Sequence, residues 1–173
     1  MRKSLASASY RSLFTLFVRR SHISLERRVR LYNAFVVPIL LYNCGTWALT
    51  KAQVSSLSAF HRRHLRSILG VRWPEKISNR DLYLRTKQTD IVHHVNQSRL
   101  RLLGHCLRMS PESPPQQALE LYNDTSPRGR LGRPKTTPGL RPRQDVGLSA
   151  SALPTLREEA ANRHEWRRRV TVI

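Results

Sequence analysis

The chain has 173 residues, which is enough for one domain of ordinary size with a tail and too few for two full-sized domains. It contains 31 basic and only 11 acidic residues, and the resulting net charge of +20 favours polyanionic partners. Nucleic acid is the first expectation, although an anionic membrane surface would fit the same charge. No apolar run reaches the ~18 residues that a membrane span requires.

Residues 1–23 are predicted to form a basic N-terminal helix or extension. A helix over 4–20 would have these apolar positions: Leu5, Leu13, Leu16 and Phe17. The segment contains basic residues and no acid, which is also typical of a mitochondrial transit peptide. The alternative is that Met1 marks the beginning of a gene fragment.

Residues 24–109 are predicted to form a helical body. Ser24 can cap its first helix. Pro38 should kink or break that helix, because proline lacks the amide donor and clashes with the preceding turn. From Val36 onward the segment is apolar on all sides, which indicates burial on every side.

The most clearly predicted helix begins at Thr50, because Thr50 and Gln53 match a capping box. It runs to about residue 69, and Gly70 can end it in a left-handed conformation. Its apolar residues share one arc and are predicted to be buried: Leu57, Phe60, Leu65 and Ile68. The opposite arc carries arginines that are predicted to be exposed: Arg62, Arg63 and Arg66.

Two histidines of this helix, His61 and His64, could suggest a metal site. They fall on the apolar arc, which favours core histidines bonded to the backbone. Zinc needs four convergent ligands at characteristic spacing, and no such motif is present. We therefore expect no metal and no cofactor.

The last helix of the body is predicted to follow Asp90 and to run to about Met109, after a short helix capped by Ser78 or Asn79. The apolar residues on one side of it are Ile91, Val95, Leu102, Cys106 and Met109. Arg101 and Arg108 lie on the other side, as a second basic face.

Tryptophan and cysteine residues of the body each admit a functional and a structural interpretation. Trp47 and Trp73 could stack on bases, but their places beside apolar runs favour the core. Cys44 and Cys106 lie in apolar helical segments, which favours two buried thiols over a disulfide.

Residues 110–150 are predicted to be a mostly irregular linker, because prolines, glycines and bases occur there without a periodicity that could build a core. The bases of this segment are further candidates for phosphate contact: Arg128, Arg130, Arg133 and Lys135. A C-terminal helix is predicted within 151–173. Its candidate buried residues are Leu156, Ala160, Trp166 and Val170.

Five short sequence segments, called phrases below, span most of residues 30–167. They are Arg30-Leu-Tyr-Asn-Ala-Phe-Val-Val-Pro-Ile-Leu-Leu-Tyr42 with Gly45-Thr-Trp47-Ala-Leu-Thr50, Phe60-His-Arg-Arg-His-Leu-Arg-Ser-Ile-Leu-Gly-Val-Arg-Trp73 with Ile77-Ser-Asn79, Arg99-Leu-Arg-Leu-Leu-Gly-His-Cys-Leu-Arg-Met109, Arg130-Leu-Gly-Arg-Pro-Lys135, and Ala161-Asn-Arg-His-Glu-Trp166-Arg. In order and spacing they resemble the C-terminal end of LINE-like (non-LTR) retrotransposon reverse transcriptases. In that family the region forms the thumb and the segment after it, which close on the template–primer duplex. The resemblance implies that role here.

The chain departs from this family in three places. Asn43 stands where the family often has Gly, and Gly45 or Thr46 where it often has Glu. A tryptophan usual soon after the Arg-Pro-Lys phrase is absent. The catalytic palm with its Tyr-x-Asp-Asp signature is also missing, and none of the four aspartates is adjacent to another. Nucleotide transfer needs paired metal-binding carboxylates, so no catalysis by this chain itself is expected.

The expected fold is all-α or mainly α, with a small helical bundle, a basic Pro/Gly-rich linker and a terminal helix. The expected function is non-specific contact with RNA or an RNA–DNA duplex through phosphates on basic helix faces. Two alternatives stay open: a nonfunctional or domesticated gene fragment, and a mitochondrial RNA-binding or ribosome-associated protein. A nuclear or cytoplasmic location is favoured over a mitochondrial one.

Overall fold

The structure is a computed structural model that describes residues 2–18, 23–124 and 153–172. These residues form helices joined by turns, and no strand occurs among them. The predicted all-α class is therefore confirmed.

The chain divides into two compact units. The first combines Met1–Asn43 with Lys51–Val92, and the second combines Cys44–Thr50 with His93–Ile173. This division differs from the predicted boundaries after residues 23, 109 and 150. The predicted N-terminal extension belongs to the first unit.

Six helices lie wholly within the described part of the first unit. They are α1 (Arg2–Ser12), α2 (Phe14–Val18), α3 (Leu25–Phe35), α4 (Val37–Leu40), α5 (Lys51–Leu69) and α6 (Asn79–Thr86). A seventh helix, α7 (Ile91–Leu107), begins in this unit and continues in the second.

Several helix boundaries follow the predicted signals. The Ser24 side chain accepts from the amide of Arg27, and the Ser78 side chain accepts from the amide of Asp81. The helix that begins at Leu25 ends at Phe35, and α4 carries Pro38 in its first turn, as the missing donor of proline requires. Gly70 ends α5 with a φ of 84°.

The buried side of α1 and α2 matches the predicted one at Phe17 but differs from it at the leucines. Ala6, Tyr10 and Phe17 are buried, whereas Leu5 and Leu16 are 45% and 37% exposed. The reason is aromatic packing: the Tyr10 ring lies 4.8 Å from the Phe17 ring, centroid to centroid, and both stack with an interplanar angle of 15°. An aromatic cluster, rather than the leucines, therefore anchors the N-terminal helices.

The segment after Val36 is buried on one side only, which corrects the prediction of burial on every side. Val36 and Leu40 are fully buried, but Tyr42 is 62% exposed. Phe35, just before it, is 52% exposed. The apolar run thus supplies the core with every fourth residue and leaves two large rings at the surface.

The second unit contains a 3₁₀ turn at Cys44–Thr46, most of α7, and three further helices: α8 (Pro114–Asp124), α9 (Leu153–Ala161) and α10 (Arg163–Val172). Helix α8 lies where an irregular linker was predicted. It begins with proline in its first turn, and Leu119 packs against the core of this unit. The predicted terminal helix is split at Asn162, whose side-chain Oδ1 accepts from the amides of His164 and Glu165.

All four residues predicted to be buried in the C-terminal helix are buried: Leu156, Ala160, Trp166 and Val170. They pack with a row on α7 that consists of Leu100, Leu103 and Leu107. The predicted side of α7 was therefore partly wrong. Ile91 and Val95 are buried, but Leu102 is 38% exposed and neither Cys106 nor Met109 is fully buried.

Candidate nucleic-acid interface

Helix α5 has the predicted buried arc. Leu57, Phe60, Leu65 and Ile68 are all buried. The arginines of the other arc are not equivalent, because Arg63 is exposed whereas Arg62 and Arg66 are half-buried.

Both half-buried arginines are bonded within the first unit. The Arg62 Nη1 atom lies 3.5 Å from the Asp90 Oδ2 atom in an ion pair. The Arg66 Nη2 atom donates to the Asn79 Oδ1 atom at 2.6 Å. Their guanidinium groups connect α5 to the elements that follow, so Arg63 is the member of the set most open to a partner.

Asp90 is the centre of a small polar network. Its Oδ1 atom accepts from the Ser58 hydroxyl at 2.7 Å and from the Val92 amide at 3.1 Å. Burial alone would raise the pKa of Asp90, but these hydrogen bonds and the Arg62 guanidinium together lower it below its usual value. Asp90 therefore stays ionised near neutral pH and caps α7, as the sequence predicted for its start.

An open groove of about 510 Å³ lies along α1 and α5, and it contains the exposed Arg63. Its lining residues are Lys3, Ser4, Ser7, Ser56, Ala59, Phe60 and Arg63. No acidic side chain lines the groove among the residues that the structure describes. We call it the α1–α5 groove.

Both cations of the α1–α5 groove are positioned by neighbours. The Lys3 Nζ atom donates to the Ser56 hydroxyl at 2.6 Å, which connects the two helices. The Arg63 guanidinium carbon lies 5.8 Å from the centroid of the Phe60 ring. A flat guanidinium, an ammonium and several hydroxyls on one concave surface are the donor set that binds a phosphate ester.

Sequence reasoning found Arg63 but missed Lys3, Ser7 and Ser56. One signal was available on α5, since Ser56 and Arg63 are seven residues apart and so share a face. The contribution of α1 could not be read in the same way. Which side of α1 packs on α5 depends on contacts between segments about fifty residues apart in sequence.

The second predicted basic face lies in the second unit and also separates into exposed and bonded members. Arg101 is exposed. The Arg108 Nη1 atom donates to the Ala160 carbonyl oxygen at 3.0 Å, so this arginine, which directly follows α7, is bonded to α9. The remaining candidates lie outside the described residues: Arg128, Arg130, Arg133 and Lys135.

The two histidines of α5 are core residues, as predicted, and each contacts aromatic side chains. The Tyr32 hydroxyl lies 3.0 Å from the His61 Nδ1 atom. The His64 ring stacks on Tyr10 with centroids 4.1 Å apart. Burial, assisted by the charge of Arg63, lowers the pKa of His64 to about 4. In the part of the chain that the structure describes, no three His, Cys, Asp or Glu side chains could hold a metal ion together.

The tryptophans of the body depart from the prediction that both are core residues. Trp73 is 85% exposed, and Trp47 is half-buried. Both cysteines are free thiols, with Cys44 buried and Cys106 partly buried.

Comparison of the chain with protein-family models, with curated proteins and with solved structures finds no match. None of the helices in 2–18, 23–124 and 153–172 is both long and apolar enough to cross a membrane. The side chains of the two units are therefore the basis for assigning a function.

Proposed function

We propose that this chain is a nucleic-acid contact element that holds RNA or an RNA–DNA duplex through phosphates, without reading sequence. The observation that carries the proposal is the α1–α5 groove, where Lys3 and Arg63 line one concave surface together with serine hydroxyls and no described acid. Phosphate contacts position a nucleic acid but carry no base information, so competing sequences should bind nearly alike.

The charge distribution supports a polyanionic partner. Residues 1–109 contain 20 basic and 4 acidic residues, whereas an ordinary protein surface mixes the two signs. Each phosphate contact made by a lysine or arginine releases condensed counterions, which favours binding at low salt. A groove with two cations and no described acid fits that mechanism better than the solvated face of a single helix.

The resemblance to the thumb region of LINE-like reverse transcriptases supports the same proposal from the sequence. A thumb closes on the template–primer duplex, which is a backbone-directed contact. We propose this origin for the chain, and we propose that it acts without catalysis of its own. Its aspartates are separated in sequence. The carboxylate of Asp90 already accepts hydrogen bonds from Ser58 and Val92 and forms an ion pair with Arg62.

The test is a filter-binding titration of an RNA–DNA hybrid over a salt series, with wild-type protein and the Lys3→Gln/Arg63→Gln double variant. Each lost phosphate contact should reduce the slope of log affinity against log salt by about 0.7 to 0.9. We therefore expect the double variant to flatten the slope by about 1.4 to 1.8. Circular dichroism should show unchanged helix content, because both side chains are exposed.

The matched control is Arg27→Gln/Arg80→Gln, which removes two exposed cations from the same unit but outside the groove. It should change the slope by less than half as much. Equal slopes for the two double variants would mean that only the overall charge attracts the hybrid, and no binding by the wild type at low salt would refute the proposal.

A further inference from the structure

Trp73 lies in the loop that connects α5 to α6, and this loop is fixed at both ends. At its start, the amides of Gly70 and Val71 donate to the carbonyl oxygen of Arg66 at 2.8 and 3.0 Å. At its end, the Arg66 guanidinium donates to Asn79, the first residue of α6. The loop is thus a defined platform rather than a loose connection.

The Trp73 side chain is 85% exposed, which is far more than the exposed fraction of the other large apolar residues in the first unit. Tryptophan carries the largest apolar surface of any side chain and is highly buried on average. Packing within the unit does not explain this ring, because most of its surface lies in water. An exposed indole on a fixed loop is available for a planar partner.

One cation lies near the ring. The Lys76 Nζ atom lies 5.9 Å from the centroid of the Trp73 ring. Arg72, Pro74 and Glu75 are also exposed. An aromatic plane with an ammonium group beside it offers a stacking surface for a nucleobase together with a cation for its phosphate.

We propose that Trp73 stacks on an unpaired base of the bound nucleic acid, with Lys76 contacting the adjacent phosphate. The inference rests on the proposed function and adds its substrate class, which is a strand with at least one unpaired nucleotide. Every base has a π face, so stacking needs no sequence preference. Paired bases inside a blunt duplex are already stacked and cannot use the ring.

A protein partner is the weaker interpretation of the same ring. Aromatic hot spots of protein interfaces are enclosed by well-packed neighbours that exclude water. The residues on either side of Trp73 are instead exposed, and charged groups predominate among them. The Lys76 ammonium beside a lone aromatic plane fits a nucleotide better.

The experiment measures the affinity of the full chain for a short oligouridylate and for a blunt RNA–DNA hybrid of the same length. Trp73→Ala should weaken oligouridylate binding about 5- to 150-fold, the range for one base stacked on an aromatic side chain. Hybrid binding should change by less than about 2-fold, because the phosphate contacts of the groove remain. Trp73→Phe should keep most of the single-strand affinity, because phenylalanine retains a π face.

Tryptophan fluorescence provides an independent readout. Stacking on a base should quench the emission of the wild type when oligouridylate is added, and Trp73→Phe should lose that quenching. Leu84→Ala is the matched control, since Leu84 is 66% exposed in the same unit and is not aromatic. It should leave both affinities and the quenching unchanged.

The outcomes separate the two proposals. If Trp73→Ala binds oligouridylate as the wild type does, or weakens both ligands equally, stacking is refuted while groove binding of the hybrid stands. If the wild type binds neither ligand at low salt, the proposed function fails and the stacking proposal fails with it.

Discussion

Basic side chains of this protein divide into those that hold the fold together and those that face solvent. Arg28, Arg99 and Arg108 each donate from the guanidinium group to a backbone carbonyl oxygen. Arg28 is only 5% exposed and closes the ends of two helices, because it reaches the carbonyls of Phe17 and Ile68. The net charge therefore overstates the number of cations that can meet a polyanion.

The buried side chain of His64 makes the stability of the first unit depend on pH. Its side chain is 7% exposed, lies between the rings of Tyr10 and Phe60, and has a pKa lowered to about 4 by burial and the nearby Arg63 charge. The unfolded chain would bind a proton near the ordinary pKa of 6.5. Between these values the unfolded state holds more protons, so stability is present above about pH 6.5 and is lost as pH falls towards about 4.

We predict that urea unfolding will show about 1 to 2 kcal/mol less stability at about pH 5 than at about pH 7, after allowance for solvent screening. His64→Phe should remove most of this difference, because phenylalanine keeps the ring contacts and does not titrate. The control is His105→Gln, at an exposed histidine of the second unit, which should leave the difference in stability between the two pH values unchanged. If the stability of the His64→Phe variant depended on pH as that of the wild type does, His64 would not be the group that causes the loss of stability.

At the scale of elements, Trp166 determines which side of α7 is buried. Its Nε1 atom donates to the Leu100 carbonyl oxygen at 3.0 Å. A Cβ atom added at Gly104 would lie 2.1 Å from that same Nε1 atom. Position 104 therefore requires glycine because any larger residue would collide with the Trp166 ring of α10.

We predict that Gly104→Ala destabilises the protein by about 1 to 3 kcal/mol, because overpacking outweighs the gain in helix propensity from alanine. The measurement is thermal or urea unfolding, followed by near-ultraviolet circular dichroism of the tryptophans. Arg101→Ala is the control on the exposed side of the same helix and should change stability by less than about 0.5 kcal/mol. A Gly104→Ala variant more stable than the wild type would show that Trp166 does not sit against this glycine.

Helix α5 could be predicted well and α7 only in part, for a reason visible in their residues. The apolar residues of α5 share a single arc, so its buried face follows from periodicity alone. Helix α7 has leucines on more than one side, and the choice among them depends on Trp166, which is 66 residues from Leu100. Periodicity does not contain that contact.

The candidate site was likewise predicted in part. Arg63 is exposed on the expected arc, but local sequence could not show that Arg62 and Arg66 are bonded to Asp90 and Asn79. The exposure of Trp73 was missed because a tryptophan beside an apolar run is usually core. Its exposed position follows from the loop geometry, which the sequence pattern does not specify.

At the scale of the whole molecule, the proposed function needs only the first unit. The α1–α5 groove and Trp73 both belong to it. Residues 110–173 hold 11 basic and 7 acidic residues, a more balanced mixture than the 20 and 4 of residues 1–109. The central claim is therefore local, namely that phosphates occupy the groove beside Lys3 and Arg63.

Lysine acetylation footprinting tests that claim most directly. The full chain is acetylated with and without a saturating RNA–DNA hybrid at low salt, and modification of each lysine is read by mass spectrometry. Lys3 lines the groove, whereas Lys87 is exposed in the same unit outside it. We predict that the hybrid protects Lys3 severalfold and leaves Lys87 unchanged. Equal modification of Lys3 with and without the hybrid, under conditions where binding is complete, would contradict a phosphate site in the α1–α5 groove.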